Sequence, residues 1–443
     1  MVIPCEERKT MLTTLIISIL SFIGLIALIF LRPSVLVKGR SINIYWLAPL
    51  IGALLLILFK QITPSEVFAG LTRDTGMNPI KILILLISMT IISIYLDNAG
   101  FFGYIACKVL AFAKASQTAL FFCLYAIVSV LTIFTSNDII VLTFTPFICY
   151  FARNAKIDPI PYLICEFVAA NTWSMVFIIG NPTNIYLASN AGIGFMEYLS
   201  RMIIPTVFAG LASLFIMWLL FRKKLREPIR TSASAPKLGK KFHVFTALSH
   251  LVICIILMSI SLYIDIPMWL ISLCACASLI MFSLLHSLLC HENCKLLRAT
   301  IVRAPWDVVP FIISMFVIVL AFEKNGICGS IAAFLSGGEP VFTFGTASFF
   351  SANIINNIPM SVLFSSICAD AAPIIQTRAL YASIIGSNIG AFLTPIGAIA
   401  GIMWMSVLKL QRIKLSYVEF IRYGAIISIP TILAALSGLF ITL

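Results

Sequence analysis

The sequence predicts an all-α polytopic membrane protein with about 10 transmembrane helices and two re-entrant hairpins, arranged as two inverted repeats. Composition, the spacing of apolar runs and a steady offset between matching residues predict it. Of 443 residues, 61% are hydrophobic and only 11% are charged. A soluble surface needs roughly a quarter of its residues charged, so this chain cannot cover even one globular domain. We therefore expect it to reside in the lipid bilayer.

Ten apolar runs are long enough to cross a hydrocarbon layer of about 30 Å. They lie near 11–31, 43–60, 79–96, 160–189, 198–222, 244–264, 268–285, 306–323, 379–408 and 418–441. Two further apolar stretches, 117–152 and 340–369, carry polar residues at their centres and have arms of marginal length. A backbone reversal at that depth is tolerated only inside protein or beside a wet cavity. We therefore predict a re-entrant hairpin in each stretch.

The basic residues predict the orientation in the membrane. With ten spans, two hairpins and both termini outside, the cytoplasmic segments hold 22 of the 30 Lys and Arg. This is the positive-inside pattern, and it accounts for the net charge of +13 without nucleic-acid binding. We expect a multi-pass protein of the inner (cytoplasmic) membrane with no nucleic-acid partner.

The chain also contains an internal duplication. The matched pairs, whose offset falls only from 226 to 217 residues along the chain, are Pro79 and Pro305, Gly100 and Gly326, Asn137-Asp138 and Asn356-Asn357, Asn171 and Asn388, and Gly180 and Gly397. The predicted repeats are 1–230, with the first five spans, and 244–443, with the last five, joined by a cytoplasmic linker at 231–243. Because five is an odd number, the repeats must lie in opposite orientations. Inverted repeats are typical of secondary transporters, whose site lies at the repeat interface near the midplane.

Each repeat has one long span that is interrupted near its middle. In 160–189 the interruption reads Gly180-Asn181-Pro182, and in 379–408 it reads Thr394-Pro395-Ile396-Gly397. Gly and Pro break the helical hydrogen-bond ladder and release amides and carbonyls. A half-helix N-terminus can hold an anion or a polar solute, whereas unwound carbonyls can bind a cation.

The candidate substrate and ion-binding residues are the polar groups at the hairpin tips and helix breaks. They are Ser136, Asn137, Asp138, Asn171, Thr172, Gly180, Asn181, Asn356, Asn357, Asn388, Thr394 and Gly397. Asp138 and Glu166 are the carboxylates inside these segments, and an intramembrane carboxylate is costly enough to indicate function. We predict that they bind a coupling H+ or Na+, with the alternative that Glu166 only caps its helix or reaches the cytoplasmic surface.

The sequence resembles the arsenite efflux permeases, within the superfamily that includes sodium/proton antiporters and dicarboxylate carriers. The segments that carry the resemblance are Ser136-Asn137-Asp138, Arg303-Ala304-Pro305-Trp306, Asn356-Asn357-Ile358-Pro359 and Thr394-Pro395-Ile396-Gly397. Gly180-Asn181-Pro182-Thr183-Asn184 is more similar to the Gly-x-Pro-x-Asn element of the dicarboxylate and antiporter branches. The resemblance implies a scaffold and a moving transport domain. Arsenite permeases commonly carry Asp where this chain has Asn171 and Asn388, and the loss of these two carboxylates weakens the expectation of proton coupling and of arsenite as the substrate.

These features together predict a secondary active transporter that moves a small inorganic or organic anion or oxyacid by alternating access, with arsenite as the first named candidate. A sodium/proton antiporter or a dicarboxylate carrier on the same fold is the alternative. A partner ATPase and a homodimer both remain open. We expect no cofactor and no enzymatic activity, since the chain lacks His-Glu-x-x-His and a second mid-membrane Asp.

One cluster lies apart from these features, at the cytoplasmic end of the span 268–285. His286, Cys290 and Cys294 share a helix face that is able to hold a soft metal. No second half of a zinc pattern follows, so we predict an ordinary helix end and no metal site.

Overall fold

A computed structural model describes residues 5–31, 34–37, 40–72, 78–112, 116–227, 241–261, 263–290 and 293–443. It is almost entirely helical, which confirms the predicted all-α class. The exception among these residues is a small antiparallel pair of strands, β1 (Ser34–Val37) and β2 (Arg40–Asn43), in the loop after the first span. Most of the predicted linker 231–243 lies outside the described residues.

Within the described residues, the first half of the chain contains ten α-helices and two 3-10 turns. They are α1 (Cys5–Leu31), α2 (Leu47–Leu58), α3 (Pro64–Thr72), α4 (Pro79–Asn98), α5 (Phe101–Phe112), α6 (Gln117–Phe134), α7 (Asn137–Ala155), α8 (Ile160–Trp173), the 3-10 turn Ile178–Gly180, α9 (Pro182–Asn190) and α10 (Phe195–Phe221). A second 3-10 turn, Lys224–Arg226, follows α10.

The second half contains ten more helices. They are α11 (Lys241–Ser259), α12 (Met268–Leu289), α13 (Lys295–Arg303), α14 (Val308–Lys324), α15 (Ile327–Leu335), α16 (Pro340–Ile355), α17 (Asn357–Ala369), α18 (Pro373–Gly390), α19 (Ile399–Leu410) and α20 (Tyr417–Thr442). From α14 onward the order repeats that from α4 onward: a long helix, a short helix, a pair joined by a polar turn, an interrupted helix and a long helix. Gly100 and Gly326, which the offset pairs, both have positive φ at the break after the first helix of each series.

Eight helical segments of the described chain are long and apolar enough to cross a membrane. Seven coincide with predicted spans, and the eighth is α6, the first arm of the first predicted hairpin. The predicted span 43–60 is the shorter helix α2. The two remaining predicted spans, 160–189 and 379–408, are interrupted as predicted: the first is α8, the 3-10 turn and α9, and the second is α18 and α19.

The packing of the helices also has a repeated pattern. α6 lies against α8 and α16 against α18, so each hairpin packs on the interrupted helix of its own half. α7 contacts α19 and α17 contacts α9, so the second arm of each hairpin also packs on the other half. α10 and α20 pack along each other, while α4 packs on α12 and α14 on α2. The two interrupted helices are therefore held between the two hairpins.

An ion pair with one buried partner ties the first hairpin to the surrounding helices. Asp97, at the end of α4, is 2.5 Å from the Arg303 guanidinium of α13 and has a side chain only 9% exposed. Its other carboxylate oxygen accepts a hydrogen bond of 2.8 Å from the Thr143 hydroxyl of α7. Arg303 begins one of the segments that resemble the permeases, and its partner Asp97 explains why an arginine occupies that place.

Candidate functional site

Each interrupted helix folds back closely on the end of its first segment. A Cβ atom at Gly180 would lie 2.3 Å from the carbonyl oxygen of Ser174. A Cβ at Gly397 would lie 2.5 Å from the carbonyl oxygen of Gly390. Only glycine permits such an approach, which explains why the same residue type recurs at this place in both halves.

Asn171 and Asn388 hold equivalent positions at the two breaks. Each is the third residue from the end of its helix, α8 or α18, and each is fully buried. Asn171 Nδ2 donates to the Phe167 carbonyl at 2.8 Å, and Asn388 Nδ2 donates to the Ile384 carbonyl at 2.8 Å. In both cases the amide bonds to the carbonyl four residues earlier, which fixes the side chain at the point where the helix stops.

Asn388 also joins the second half to the break in the first. Its Oδ1 accepts hydrogen bonds from Ser174 Oγ at 3.0 Å and from Asn181 Nδ2 at 2.8 Å. Its Nδ2 donates to Asn184 Oδ1 at 2.7 Å in addition to the Ile384 carbonyl. The two acceptor sites and two donor hydrogens of this amide are all used, so Asn388 acts as a bridge between the halves.

The tip of the first hairpin contacts the first break. Asn137, the first residue of α7, donates from Nδ2 to Asn171 Oδ1 at 3.0 Å. Asp138 follows it and is partly exposed. Among the described residues the Asp138 carboxylate has no hydrogen bond or salt bridge. The structure thus brings Asn137 and Asn171 together and leaves Asp138 open at the tip.

The second hairpin is bound to its break through the backbone. Asn356 has φ 73° and ψ 154°, a conformation that costs an L residue roughly 1–3 kcal/mol. Its Nδ2 donates to the Ile396 carbonyl at 2.8 Å, and the next amide, Asn357 N–H, donates to the Gly397 carbonyl at 3.1 Å. These bonds hold the strained tip in place. Asn356 caps α17, so by helix start Asn357 corresponds to Asn137, one residue away from the predicted pairing.

Thr394 lies beside the same hairpin rather than at the centre of the cluster. Its backbone amide and its hydroxyl both donate to Asn353 Oδ1, at 3.1 and 2.7 Å. Asn353 Nδ2 in turn donates to the Gly390 carbonyl at 3.0 Å. These contacts fasten the loop between α18 and α19 to α16.

Four buried polar atoms around the tips and breaks have no hydrogen-bond partner within the described chain. They are Asn137 Oδ1, Thr172 Oγ1, Thr183 Oγ1 and Ser387 Oγ. Each belongs to a side chain at most 1% exposed. Buried polar atoms are normally paired, so each of these is available to a substrate or a water molecule.

Three cavities accompany this cluster. One of about 10 Å³, the space of a single water, lies between α4, the tip residues Thr135 and Ser136, and the break at Pro182. Two larger cavities, of about 390 and 340 Å³, lie on either side of the turn after α9. Lys81 and Trp269 line the first, and Glu197 and Gln376 line the second. Of these three cavities, the one beside the tips and the break is by far the smallest, and the two larger ones lie at one end of α9.

Glu166 lies apart from the tips, in the interface between α7, α8 and α19. It is fully buried, so the alternative that it reaches the cytoplasmic surface is wrong. The Thr145 hydroxyl of α7 is 3.0 and 3.2 Å from its two carboxyl oxygens. Pro146 follows Thr145 and interrupts the hydrogen-bond ladder of α7.

The sequence did not single out five residues that the structure places in or beside the cluster: Ser174, Thr183, Asn184, Asn353 and Ser387. Thr183 and Asn184 belong to the Gly180–Asn184 segment, so that motif contained the signal. Asn353 lies at the polar centre of the second hairpin. Ser174 and Ser387 carried no signal, because a serine in an apolar helix usually bonds only to its own backbone.

At the end of α12, two residues of the possible soft-metal face make ring-stacking and hydrogen-bond contacts. His286 stacks on Phe242 with ring centroids 3.8 Å apart, and its Nε2 lies 3.6 Å from Cys290 Sγ. Within the described residues no three His, Cys, Asp or Glu side chains gather as metal ligands do. His291 lies outside the described residues.

The chain is similar to known transporters along nearly its whole length. Residues 25–386 match the family model CitMHS, described as citrate transporter. The arsenical pump membrane protein of Escherichia coli K12 is 26% identical over 93% of this chain and 97% of its own. The putative arsenical pump membrane protein of Bacillus subtilis is 23% identical over 95% and 98%. The predicted resemblance to arsenite permeases is therefore confirmed.

A solved structure supports the same fold. The crystal structure of the Alcanivorax borkumensis YdaH transporter superposes with a TM-score of 0.57 at 15% identity, and the match covers 98% of both chains. A match at this identity shows the architecture and leaves the substrate open. Together with the family match over most of the chain, it identifies this protein as a multi-pass transporter of the cytoplasmic membrane that belongs to the CitMHS citrate-transporter family.

Proposed function

We propose that this protein is a secondary active transporter of a small oxyacid that carries little charge, with arsenite as the first candidate. The observation that carries the proposal is the set of four unpartnered polar atoms at the tips and breaks. Asn137 Oδ1 is an acceptor and requires a donor on the substrate, while the three hydroxyls can donate or accept. An undissociated oxyacid offers O–H donors and oxygen acceptors together.

The charges around the cluster favour a neutral solute over a multiply charged anion. Among the described residues, no Lys or Arg hydrogen-bonds to any Asn, Thr or Ser of the cluster. The backbone amides that an anion would use are partly engaged: Thr183 N–H donates to Asn181 Oδ1 at 3.1 Å, and Ile358 N–H donates to Asn356 Oδ1 at 3.3 Å. A dianion would therefore lose its hydration with little compensation.

Alternating access follows from the proposed duplication. We assign residues 1–230 and 244–443 to two repeats of opposite orientation, joined by the linker 231–243. The hairpin 117–152 and the span 160–189 would form the half-site reached from the cytoplasm. The hairpin 340–369 and the span 379–408 would form the half-site reached from outside. In this orientation the two large cavities lie on the outer side, which favours an outward-facing state for the conformation described.

The proposed transport is driven by a coupling ion. Asp138 and Glu166 are the carboxylates available to bind a coupling H+ or Na+. The alternative is a partner ATPase, which the resemblance to arsenical pump proteins allows. A homodimer is compatible with either source.

A citrate or dicarboxylate carrier is the second candidate, and the family match over residues 25–386 favours it. The Gly180–Asn184 segment also agrees with it. Such a carrier must compensate two or more negative charges, either with a bound cation or with free helix N-termini.

Flux into proteoliposomes that contain the purified protein distinguishes these functions. The panel is arsenite, citrate, a C4 dicarboxylate, sulfate and Na+, each with and without pH and Na+ gradients. We expect arsenite flux into the proteoliposomes to exceed arsenite flux into protein-free liposomes. It should also exceed citrate flux into the same proteoliposomes. Citrate flux without arsenite flux would replace the first proposal by the second, and flux of Na+ alone would indicate an antiporter.

Replacing Asn137 with Ala should abolish transport and leave expression unchanged. The change removes both the contact to Asn171 and the free acceptor Oδ1, and the loss of one such group lowers a rate at least about tenfold. Asn356→Ala should have the same effect, and Asn356→Gly separates loss of the side chain from backbone strain. Asn325→Ala is the control, because Asn325 bonds to Thr14 and to the Ala321 carbonyl, away from the cluster. Normal transport by Asn137→Ala would refute this site.

A further inference from the structure

Glu166 is a carboxyl group enclosed between helices that belong to the two proposed half-sites. It lies on α8 and faces Thr145 of α7 and Trp404 of α19, and both Glu166 and Trp404 are fully buried. The indole N–H of Trp404 lies beside the Glu166 carboxyl group and is a donor that an oxygen of this group can accept from, whether or not the group is protonated. α7 and α8 belong to the first half of the chain, and α19 belongs to the second.

The hydrogen bonds available to the Thr145 hydroxyl indicate whether the Glu166 carboxyl group is protonated. The Thr145 hydroxyl lies 2.7 Å from the Val141 carbonyl and 3.0 Å from Glu166 Oε2. A hydroxyl has one hydrogen, and a helical threonine commonly gives it to the carbonyl four residues earlier. The contact between Thr145 and Glu166 is then a hydrogen bond only if the carboxyl group is protonated and donates to Thr145 Oγ1.

The surrounding charges agree with a neutral carboxyl group. The titratable groups that face Glu166 are the thiols of Cys149 on α7 and Cys165 on α8. In the described part of the chain no Lys or Arg pairs with it from α7, α8 or α19. An unpaired carboxylate in such a place costs several kcal/mol. A hard cation would need several oxygen ligands, and among the described residues the side chains that hydrogen-bond to this group are the Thr145 hydroxyl and the Trp404 indole, which is a donor and no ligand.

The position of Glu166 links its charge to the substrate cluster. It precedes Asn171 by five residues on α8, about 7.5 Å along the helix. Its partner Thr145 lies on the same helix that begins with Asn137, and Asn137 donates to Asn171. Loss of the proton would leave a charge that attracts water and the Thr145 hydroxyl, which alters the packing of α7 on α8.

We infer that Glu166, rather than Asp138, is the residue that carries the coupling proton of the transport cycle. This inference rests on the proposed function and narrows it. In each cycle the carboxylate accepts one proton from one side of the membrane, forming an O–H bond, and releases it to the other side when the helices separate. Asp138, which is open at the hairpin tip, is then left to the substrate.

The test compares Glu166→Gln with wild type in proteoliposomes that start with equal arsenite concentrations inside and outside. In wild type, a pH gradient should drive arsenite accumulation. In Glu166→Gln the gradient-driven component should fall at least about tenfold, and by more than arsenite exchange across equal pH. The matched control is Glu419→Gln, at the start of α20, which should keep the wild-type response because glutamine can replace Glu419 in the helix cap with Ser416. A gradient response in Glu166→Gln equal to wild type would overturn the inference.

A second measurement separates this inference from the proposed function. Infrared difference spectra of the purified protein between two pH values should contain the band of a buried protonated carboxyl group, and Glu166→Gln should lack it. Identical spectra would overturn the inference even if arsenite is transported. If wild type moves no arsenite but the band disappears in the variant, the proposed substrate is wrong and the proton site stands.

Discussion

Asn388→Ala is expected to abolish transport and to lower the free energy of unfolding by about 2–4 kcal/mol. The amide makes four hydrogen bonds, and three of its partners, on Ser174, Asn181 and Asn184, belong to the other half. Removing it leaves buried polar groups unpaired at about 1–3 kcal/mol each, and part of that cost is relieved by water. Thermal unfolding of the purified protein and arsenite flux measure the two effects. Near-normal stability together with normal flux would contradict the bridging role.

Asn388→Asp tests the same bridge without loss of volume. The oxygen that replaces Nδ2 would face Asn184 Oδ1 and the Ile384 carbonyl, which are both acceptors and lay 2.7 and 2.8 Å from the amide. An ionised carboxylate is repelled there, whereas the protonated acid restores one hydrogen bond. We therefore expect little transport at neutral pH and partial recovery as the pH falls.

Asn171→Asp is the matched control for this change. Asn171 Nδ2 bonds to one acceptor, the Phe167 carbonyl, and its Oδ1 still accepts from Asn137 after the replacement. The loss of transport at neutral pH should therefore be smaller for Asn171→Asp than for Asn388→Asp. Equal losses in the two variants would indicate that charge alone, rather than the bridge between the halves, decides the result. The two positions are also those at which the chain departs from the arsenite permeases it resembles.

The breaks and tips could be predicted from sequence because their signals are local. Gly180 and Gly397 weaken an α-helix and Pro182 breaks its hydrogen-bond ladder, and polar residues at the centre of an apolar stretch indicate a buried turn. The steady offset paired Asn171 with Asn388, and the structure gives both the same bond to the carbonyl four residues earlier. Local conformation and repetition therefore located the candidate site.

The contacts between the halves could not be predicted in this way. Nothing in the sequence indicates that Asn388 bonds to Asn181 and Asn184 rather than to Asn171, because such contacts depend on how distant helices pack. The short helices α3 and α13 and the strand pair were also missed, since they are too short to give a periodic signal. The burial of Glu166 depends partly on α19, which comes close to it only in the folded chain.

Gly180→Ala and Gly397→Ala are expected to remove transport through the backbone alone. The added Cβ at Gly180 would lie 2.3 Å from the Ser174 carbonyl oxygen, and at Gly397 it would lie 2.5 Å from that of Gly390. Both contacts are with backbone, which cannot turn aside as a side chain can. Overpacking of this kind typically costs about 1–3 kcal/mol or more. Arsenite flux and thermal unfolding of each variant test the expectation.

The clash at Gly180 should also disturb residues that the added Cβ does not touch. The Ser174 carbonyl also accepts a hydrogen bond from Asn184 Nδ2 at 2.8 Å. A displaced carbonyl moves Asn184, and Asn184 Oδ1 is a partner of Asn388. Gly180→Ala should therefore reproduce the transport defect of Asn388→Ala, and the double variant should lose little more stability than the more damaging single change.

Gly329→Ala is the control for both glycine variants. A Cβ at that position in α15 meets only Asp370 Oδ2, at an ordinary contact distance of 3.7 Å. Transport should remain within about twofold of wild type, because a helical glycine replaced by alanine gains rather than loses helix propensity. If Gly180→Ala also transports normally, the close return of the chain at the break is not needed. The proposed site between the breaks would then have to move to the hairpin tips.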